Sequence, residues 1–245
     1  MWRVVVALTF LLSALAVPSV DSKVSHRDVA KNVVRIGDYC SGVLLSDRVV
    51  LTAAHCIGPY AHDVTIKVGN KTSRVARIFI NKIFAKTRSC HDSAFIILKE
   101  PIITDQQLYL ACGTQWLSNC TAFGYGRTEN KPMSDEVREV GYFNVSIGRQ
   151  ASCFTATYSS KAKICGGDSG GPTICNADDK SVVIGVDTNF IAYEEKDPVK
   201  QCRSSWGAII TNSLGVVELV NQLEEEDKDY ILSQIKTLGC EAQVV

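Results

Sequence analysis

Residues 163–172 read KICGGDSGGP. A serine, Ser169, stands inside a run of four glycines, with an aspartate just before it and a cysteine four positions earlier. Glycine tolerates backbone angles closed to other residues, so such a run builds a tight loop. A serine hydroxyl is a poor nucleophile until a base takes its proton. That base needs a pKa near neutrality, which points to histidine. The chain has four: His26, His55, His62 and His91.

Three of the four are poor candidates. His26 and His62 lie in polar segments and read as surface residues. His91 adjoins Asp92, and in extended chain neighbouring side chains point to opposite sides. His55 closes an apolar run, VVLTAAHCI (49–57), and is mounted beside Cys56. A histidine base also needs a carboxylate to hold its tautomer. Asp92 heads a second apolar run in CHDSAFIIL (90–98), where an aspartate is either a cap or a buried partner. The order His55, Asp92, Ser169 selects the buried partner.

The totals bound the rest. At 245 residues the chain is long enough for one large all-β domain or two small ones. Lys plus Arg equals Asp plus Glu at 26 each, so the formal net charge is zero, which argues against nucleic acid as a partner. Met1-Trp2-Arg3, the apolar run Val4–Leu15 and the small residues Ala14-Leu15-Ala16 read as a cleaved secretory signal over residues 1–16, too short to span a bilayer. Ten cysteines in a secreted chain suggest disulfides. The rival is a zinc site, since Cys56 follows His55 and Cys90 precedes His91. It lacks a paired CxxC and its cysteines are scattered, so no metal and no cofactor is expected. Asn70, Asn119 and Asn144 head glycosylation triplets.

Short β-branched and aromatic runs recur between turn residues: Val33–Ile36, Val64–Val68, Val75–Ile80, Ala94–Leu98, Val137–Ile147 and Val182–Val186. They predict an antiparallel all-β barrel or sandwich. Helical spacing follows over Leu214–Leu223 and Tyr230–Leu238. The acidic run EEEDKD (224–229) between them reads as a solvated helix start.

LTAAHC (51–56), DSAFIIL (92–98) and CGGDSGGP (165–172) resemble, in the same chain order, the three landmark motifs of the trypsin/chymotrypsin family of serine peptidases. CSGVLLS (40–46), CTAFGYGR (120–127), WGAIITN (206–212) and DYILSQIKTL (229–238) are similar to further segments of it, and the likeness runs over roughly residues 33–240. The resemblance implies two packed antiparallel six-stranded β-barrels and a C-terminal helix, with the site between the barrels. It implies His55 as general base, Asp92 as its orienting partner, Ser169 as nucleophile, and the amides of Gly167 and Ser169 as the oxyanion hole. It further implies Cys40–Cys56, Cys120–Cys175 and Cys165–Cys202 disulfides. The nearness of the corresponding loops in that fold suggests Cys90–Cys153 and leaves Cys112–Cys240.

Two features depart from the family. Members usually mature by a cut before Ile-Val-Gly-Gly, whose new amino terminus pairs with the aspartate before the serine, here Asp168. No such motif occurs; Val17, Val24 and Asn32 are the candidate N-termini, and residues 17–32 read as an N-terminal segment or short propeptide before a peptidase domain at 33–245. The specificity pocket also differs. Its floor residue is Lys163, its wall Thr188-Asn189-Phe190, and Gly207 leaves its back open. Lys163 excludes a preference for basic side chains. Pointing inward, it selects cleavage after Asp or Glu; bent outward to solvent, it selects nothing.

The resulting expectation is a secreted, monomeric serine endopeptidase acting on proteins or peptides through an acyl-enzyme, with protein inhibitors as candidate partners and no membrane contact after signal removal. The alternative is a secreted peptidase homologue with little activity that acts by binding. An ester or lipid hydrolase is disfavoured because Gly167-Asp168-Ser169-Gly170-Gly171 lacks a strand–turn–helix setting.

Overall fold

A computed structural model describes residues 22–58, 61–87 and 90–240. The signal segment 1–16 therefore lies outside the described residues. The chain forms two closed barrels. The first runs in the order β2 (Val33–Ile36), β3 (Cys40–Leu44), β4 (Val49–Thr52), β7 (Ala94–Leu98), β6 (Lys71–Ile80) and β5 (Thr65–Val68), after a short β1 (Lys23–Val24). The second joins β9 (Thr121–Gly124), β10 (Arg138–Ile147), β11 (Cys153–Tyr158), β14 (Gly207–Asn212), β13 (Lys180–Ile191) and β12 (Pro172–Ala177), with β12 pairing back onto β9 to close the ring. All pairings within the two rings are antiparallel. The expected all-β, two-barrel class is what the chain adopts.

The unbroken apolar runs have a physical explanation. A strand alternates its faces, and here both faces are buried. Val34, Ile36, Leu44, Val50, Ile96 and Leu98 fill the first barrel. Their neighbours Val33, Val43, Leu51, Phe95 and Ile97 point the other way, into a seam shared with Phe123, Tyr125 and Val186 of the second barrel. Phe154, Val182, Ile184, Ala208 and Ile210 fill that barrel's interior. β5 faces water on one side, and its residues alternate exposed and buried.

Helices are few: α1 (Lys82–Thr87), α2 (Pro198–Ser204), α3 (Ser213–Val220) and α4 (Glu225–Gln234). Glu224 stands just before α4 and three acids fill its first turn, so the acidic run is a helix start. The helical spacing through Leu238 is overruled. Ile235 is extended, and Lys236 and Leu238 offer their carbonyls to Leu110 N at 2.8 Å and Cys112 N at 2.9 Å. β15 (Thr237–Leu238) thus joins β8 (Tyr109–Ala111) as a parallel strand. The disulfides are Cys40–Cys56, Cys90–Cys153, Cys112–Cys240, Cys120–Cys175 and Cys165–Cys202.

Candidate active site

Register alone brings His55 and Asp92 together. Thr52 of β4 lies opposite Ala94 of β7, so the residues two steps beyond, Ala54 and Asp92, emerge side by side at the barrel rim. His55 sits in a single 3₁₀ turn, Ala54–Cys56, bolted to β3 by Cys40–Cys56. Asp92 is buried, at 1% exposure, and commits both oxygens to this one residue. Oδ2 lies 2.6 Å from His55 Nδ1, and Oδ1 accepts from the His55 main-chain N–H at 2.8 Å. A carboxylate facing Nδ1 keeps a proton there, which leaves Nε2 as the ring's acceptor.

The serine loop is pressed against the same rim. Ser169 O accepts from Ser41 N at 2.8 Å and lies 3.5 Å from Cys56 Sγ, next to the histidine. Gly170 has φ +78°, and a Cβ there would strike Thr52 and the Ser41 carbonyl, so only glycine lets the loop come this close. From the other barrel, Gly170 N donates to Asp187 O at 2.7 Å and Asp187 N to Gly171 O at 2.8 Å. Gly167 has φ +97°. Among the described residues, neither the Gly167 nor the Ser169 N–H donates to a protein acceptor.

Asp168 turns inward. Oδ1 accepts from Gly126 N at 2.7 Å and Oδ2 from Cys165 N at 2.8 Å. Burial pushes its carboxyl up to about 6, against the opposing pull of the two amides and of Arg138. No cation lies within ion-pair distance of it among the described residues.

At the expected specificity pocket, the Lys163 Nζ lies 4.2 Å from the centroid of the Tyr158 ring, and burial lowers its pKa. Tyr158 donates its hydroxyl to Gly207 O at 3.1 Å. Thr188 pairs its hydroxyl with that of Thr211 at 2.8 Å, Asn189 is exposed, and Phe190 is half-buried against the second barrel. Behind the loop stands Asp187, 1% exposed. Its Oδ1 accepts from the Tyr142 hydroxyl at 3.1 Å and the Thr173 hydroxyl at 3.0 Å, while Oδ2 has no partner among the described residues. Sequence reading passed over Tyr158 and Asp187. An aspartate closing the apolar run VVIGVD was a usable signal; Tyr158 carried none.

Cys40, His55 and Cys56 cluster within metal-binding reach, but the two sulfurs are bonded to each other and cannot serve as thiolate ligands.

These features define a class: a double β-barrel with a carboxylate-held histidine at the rim where a glycine-cradled serine loop docks. The chain matches the Trypsin family over residues 21–206, more than half its length, and belongs to that family. It is 34% identical over 170 residues to chymase of Rattus norvegicus, covering 56% of this chain and 64% of the relative. It is 32% identical over 170 residues to chymase of Mus musculus, with the same coverage, and 28% identical over 174 residues to neutrophil elastase of Mus musculus, covering 63% and 64%. The matches thus span less than two thirds of these relatives' length.

Proposed function

We propose that the chain is a secreted serine endopeptidase. The observation that carries this reading is the His55–Asp92 pair with the Ser169 loop docked on the same rim. His55 takes the Ser169 proton through Nε2 as the hydroxyl attacks the scissile carbonyl, and Asp92 stabilises the imidazolium. The Gly167 and Ser169 amides bind the oxyanion; one such donor contributes ~10²–10³ in rate. His55 then protonates the leaving amine, and water hydrolyses the acyl-enzyme by the same steps.

The primary specificity we assign is an acidic side chain. Lys163 has no carboxylate within ion-pair distance among the described residues, and its ammonium rests on an aromatic face instead. A charge pair at ~4 Å and an effective dielectric of ~20 contributes about 4 kcal/mol before desolvation.

Maturation upstream of Ser22 fits best. Lys23 and Arg27 pair with Glu139 at 3.0 and 3.3 Å, Ser25 Oγ donates to it at 2.6 Å, and Arg138 Nε donates to Ser22 Oγ at 2.8 Å. A cut after Lys31 would strip the half-buried Arg138 and buried Glu139 of all these partners, and a cut after Lys23 would remove Ser22 and Lys23 while leaving Ser25 and Arg27, whereas removal of residues 1–16 keeps them all. The domain is then 33–245 with 17–32 as its N-terminal segment. The exposed Asn70, Asn119 and Asn144 are its glycosylation sites. No helix among the described residues is long and apolar enough to cross a membrane. Protein or peptide substrates, protein inhibitors and a monomeric state complete this reading, and the zero net charge argues against nucleic acid as a main partner.

The test is covalent labelling of Ser169 in secreted protein by an organophosphonate bearing an acidic side chain. Labelling abolished by Ser169→Ala supports the reading; an unlabelled wild type sinks it. That failure would favour the second reading, a non-catalytic binding homologue, for which the absence of a counter-cation at Asp168 among the described residues is the supporting observation.

A further inference from the structure

Ser41, the second residue of β3, is completely buried, and all its polar atoms are committed. Its main-chain N–H donates to Ser169 O at 2.8 Å, and its carbonyl accepts from Thr52 Oγ1 at 2.8 Å. Its hydroxyl does something strand pairing cannot. It accepts from Tyr125 N at 2.9 Å and donates to Gly167 O at 2.8 Å. One side-chain oxygen therefore joins the first barrel, the end of β9 and the glycine of the serine loop.

The peptides on either side of Gly167 have one main-chain bond each: Gly166 O accepts from Arg127 N at 2.7 Å, and Asp168 N donates to Cys165 O at 3.0 Å. Gly167 has φ +97°, a conformation open to glycine and closed to most other residues. Asp168, the next residue, is fixed by Gly126 N and Cys165 N. The peptide joining 167 to 168 is thus gripped at the carboxylate that follows it and, through Ser41, at its carbonyl. Consecutive amides of the same segment, Tyr125 and Gly126, serve the two grips. With both in place, the N–H of Gly167 is left with no protein acceptor among the described residues.

We propose that Ser41 is a positioning residue for the oxyanion hole: its buried hydroxyl, bridging Tyr125 N–H and Gly167 C=O, holds the Gly167 amide where a developing oxyanion is bound. Ser41 touches no substrate; it acts through Gly167. The inference rests on the peptidase reading above. Removing the hydroxyl leaves two buried backbone groups unpaired, and the loop relieves them by turning the 167–168 peptide, which displaces Gly167 and with it the N–H on its other side.

The experiment compares wild type, Ser41→Ala and Ser41→Gly for kcat, KM and the rate of organophosphonate labelling. A buried hydroxyl remote from the site, Ser73, provides the control. It is 3% exposed and donates to Glu100 O at 2.8 Å, so Ser73→Ala loses a comparable bond. The expected result is a ten- to hundredfold fall in kcat and labelling rate for both Ser41 variants, the scale of a small misplacement at a reacting centre, with KM within about twofold. Ser73→Ala lowers the melting temperature and leaves kcat alone. Ser41→Gly covers the case in which Ser41→Ala fails to fold. An unchanged kcat in a folded Ser41 variant, or an equal fall in Ser73→Ala, overturns the proposal. A wild type that neither labels nor cleaves peptide overturns the peptidase reading itself, and this proposal with it.

Discussion

Substituting Asp187→Asn should flatten the pH dependence of stability. Burial raises the Asp187 carboxyl to about 8, from an ordinary 3.8, and nearby Asp168 pushes the same way. Hydroxyls of Thr173 and Tyr142 oppose the shift, and Tyr142 and Tyr158 are themselves held protonated by burial. Because the folded pKa lies above the unfolded one, the native chain keeps a proton that the unfolded chain has released. Its stabilising effect is complete below the unfolded value and is lost as pH climbs toward about 8. The slope is ~1.4 kcal/mol per pH unit, so the loss between pH 5 and pH 7 is about 3 kcal/mol. An asparagine at this position has nearly the same shape, accepts from Tyr142 and Thr173 through its amide carbonyl, and cannot ionise.

Urea unfolding at pH 5, 6, 7 and 8, with disulfides intact, measures both chains. Subtracting the variant curve removes the contribution of Asp168, which at about 6 slopes the same way over the lower part of the range. The difference should change by about 3 kcal/mol from pH 5 to pH 7. Parallel curves would refute the assignment of a buried, protonated Asp187. The same group reaches function, because its backbone holds Gly170 and Gly171. Above pH 8, labelling of Ser169 should slow in the wild type and less in Asp187→Asn.

His55→Ala and Ser169→Ala should each reduce turnover by ~10⁴ or more, and the double variant little further, because the two act as a unit. Steady-state kinetics on one peptide series tests this. Lys163→Ser should lower kcat/KM for substrates with Asp or Glu at the cleavage position by roughly ten- to hundredfold relative to neutral ones. A peptide-library profile that favours Lys or Arg in the wild type would reject that assignment. Replacing Cys90 and Cys153 together by serine opens a loop with a sequence separation of 63 and should cost ~4 kcal/mol on chain-entropy grounds, read as a shift in the urea midpoint. It should also lower kcat more than removal of Cys112–Cys240 does, since Cys90 lies two residues from Asp92.

Much of this was legible in one dimension. Alternating and unbroken apolar runs announce strands, and four glycines around a serine announce a tight loop, because both depend on neighbours along the chain. The C-terminal segment marks the limit. Ile235 and Leu238 have helical spacing with Tyr230 and Ile231, yet the last residues pair with β8. Carbonyls offered to Leu110 and Cys112 outweigh local preference. Lys163 is a similar case. The family resemblance leads one to expect it at a pocket floor, but its resting place on Tyr158 depends on a ring from β11 that no local pattern singles out.

The sequence by itself determined the residue types of the chemistry, their order and the all-β class. Those follow from side-chain pKa, hydrophobic alternation and backbone freedom, which are properties of short segments. Only the tertiary structure decided that Asp92 commits both oxygens to His55, that Ser41 bridges Tyr125 to Gly167, and that Asp187 stands behind the nucleophile loop with one oxygen unpartnered among the described residues. Each of these joins residues 37 to 126 positions apart or depends on burial from several strands at once. A hydrogen bond across that separation is set by barrel closure and register, which exist only once the chain has folded.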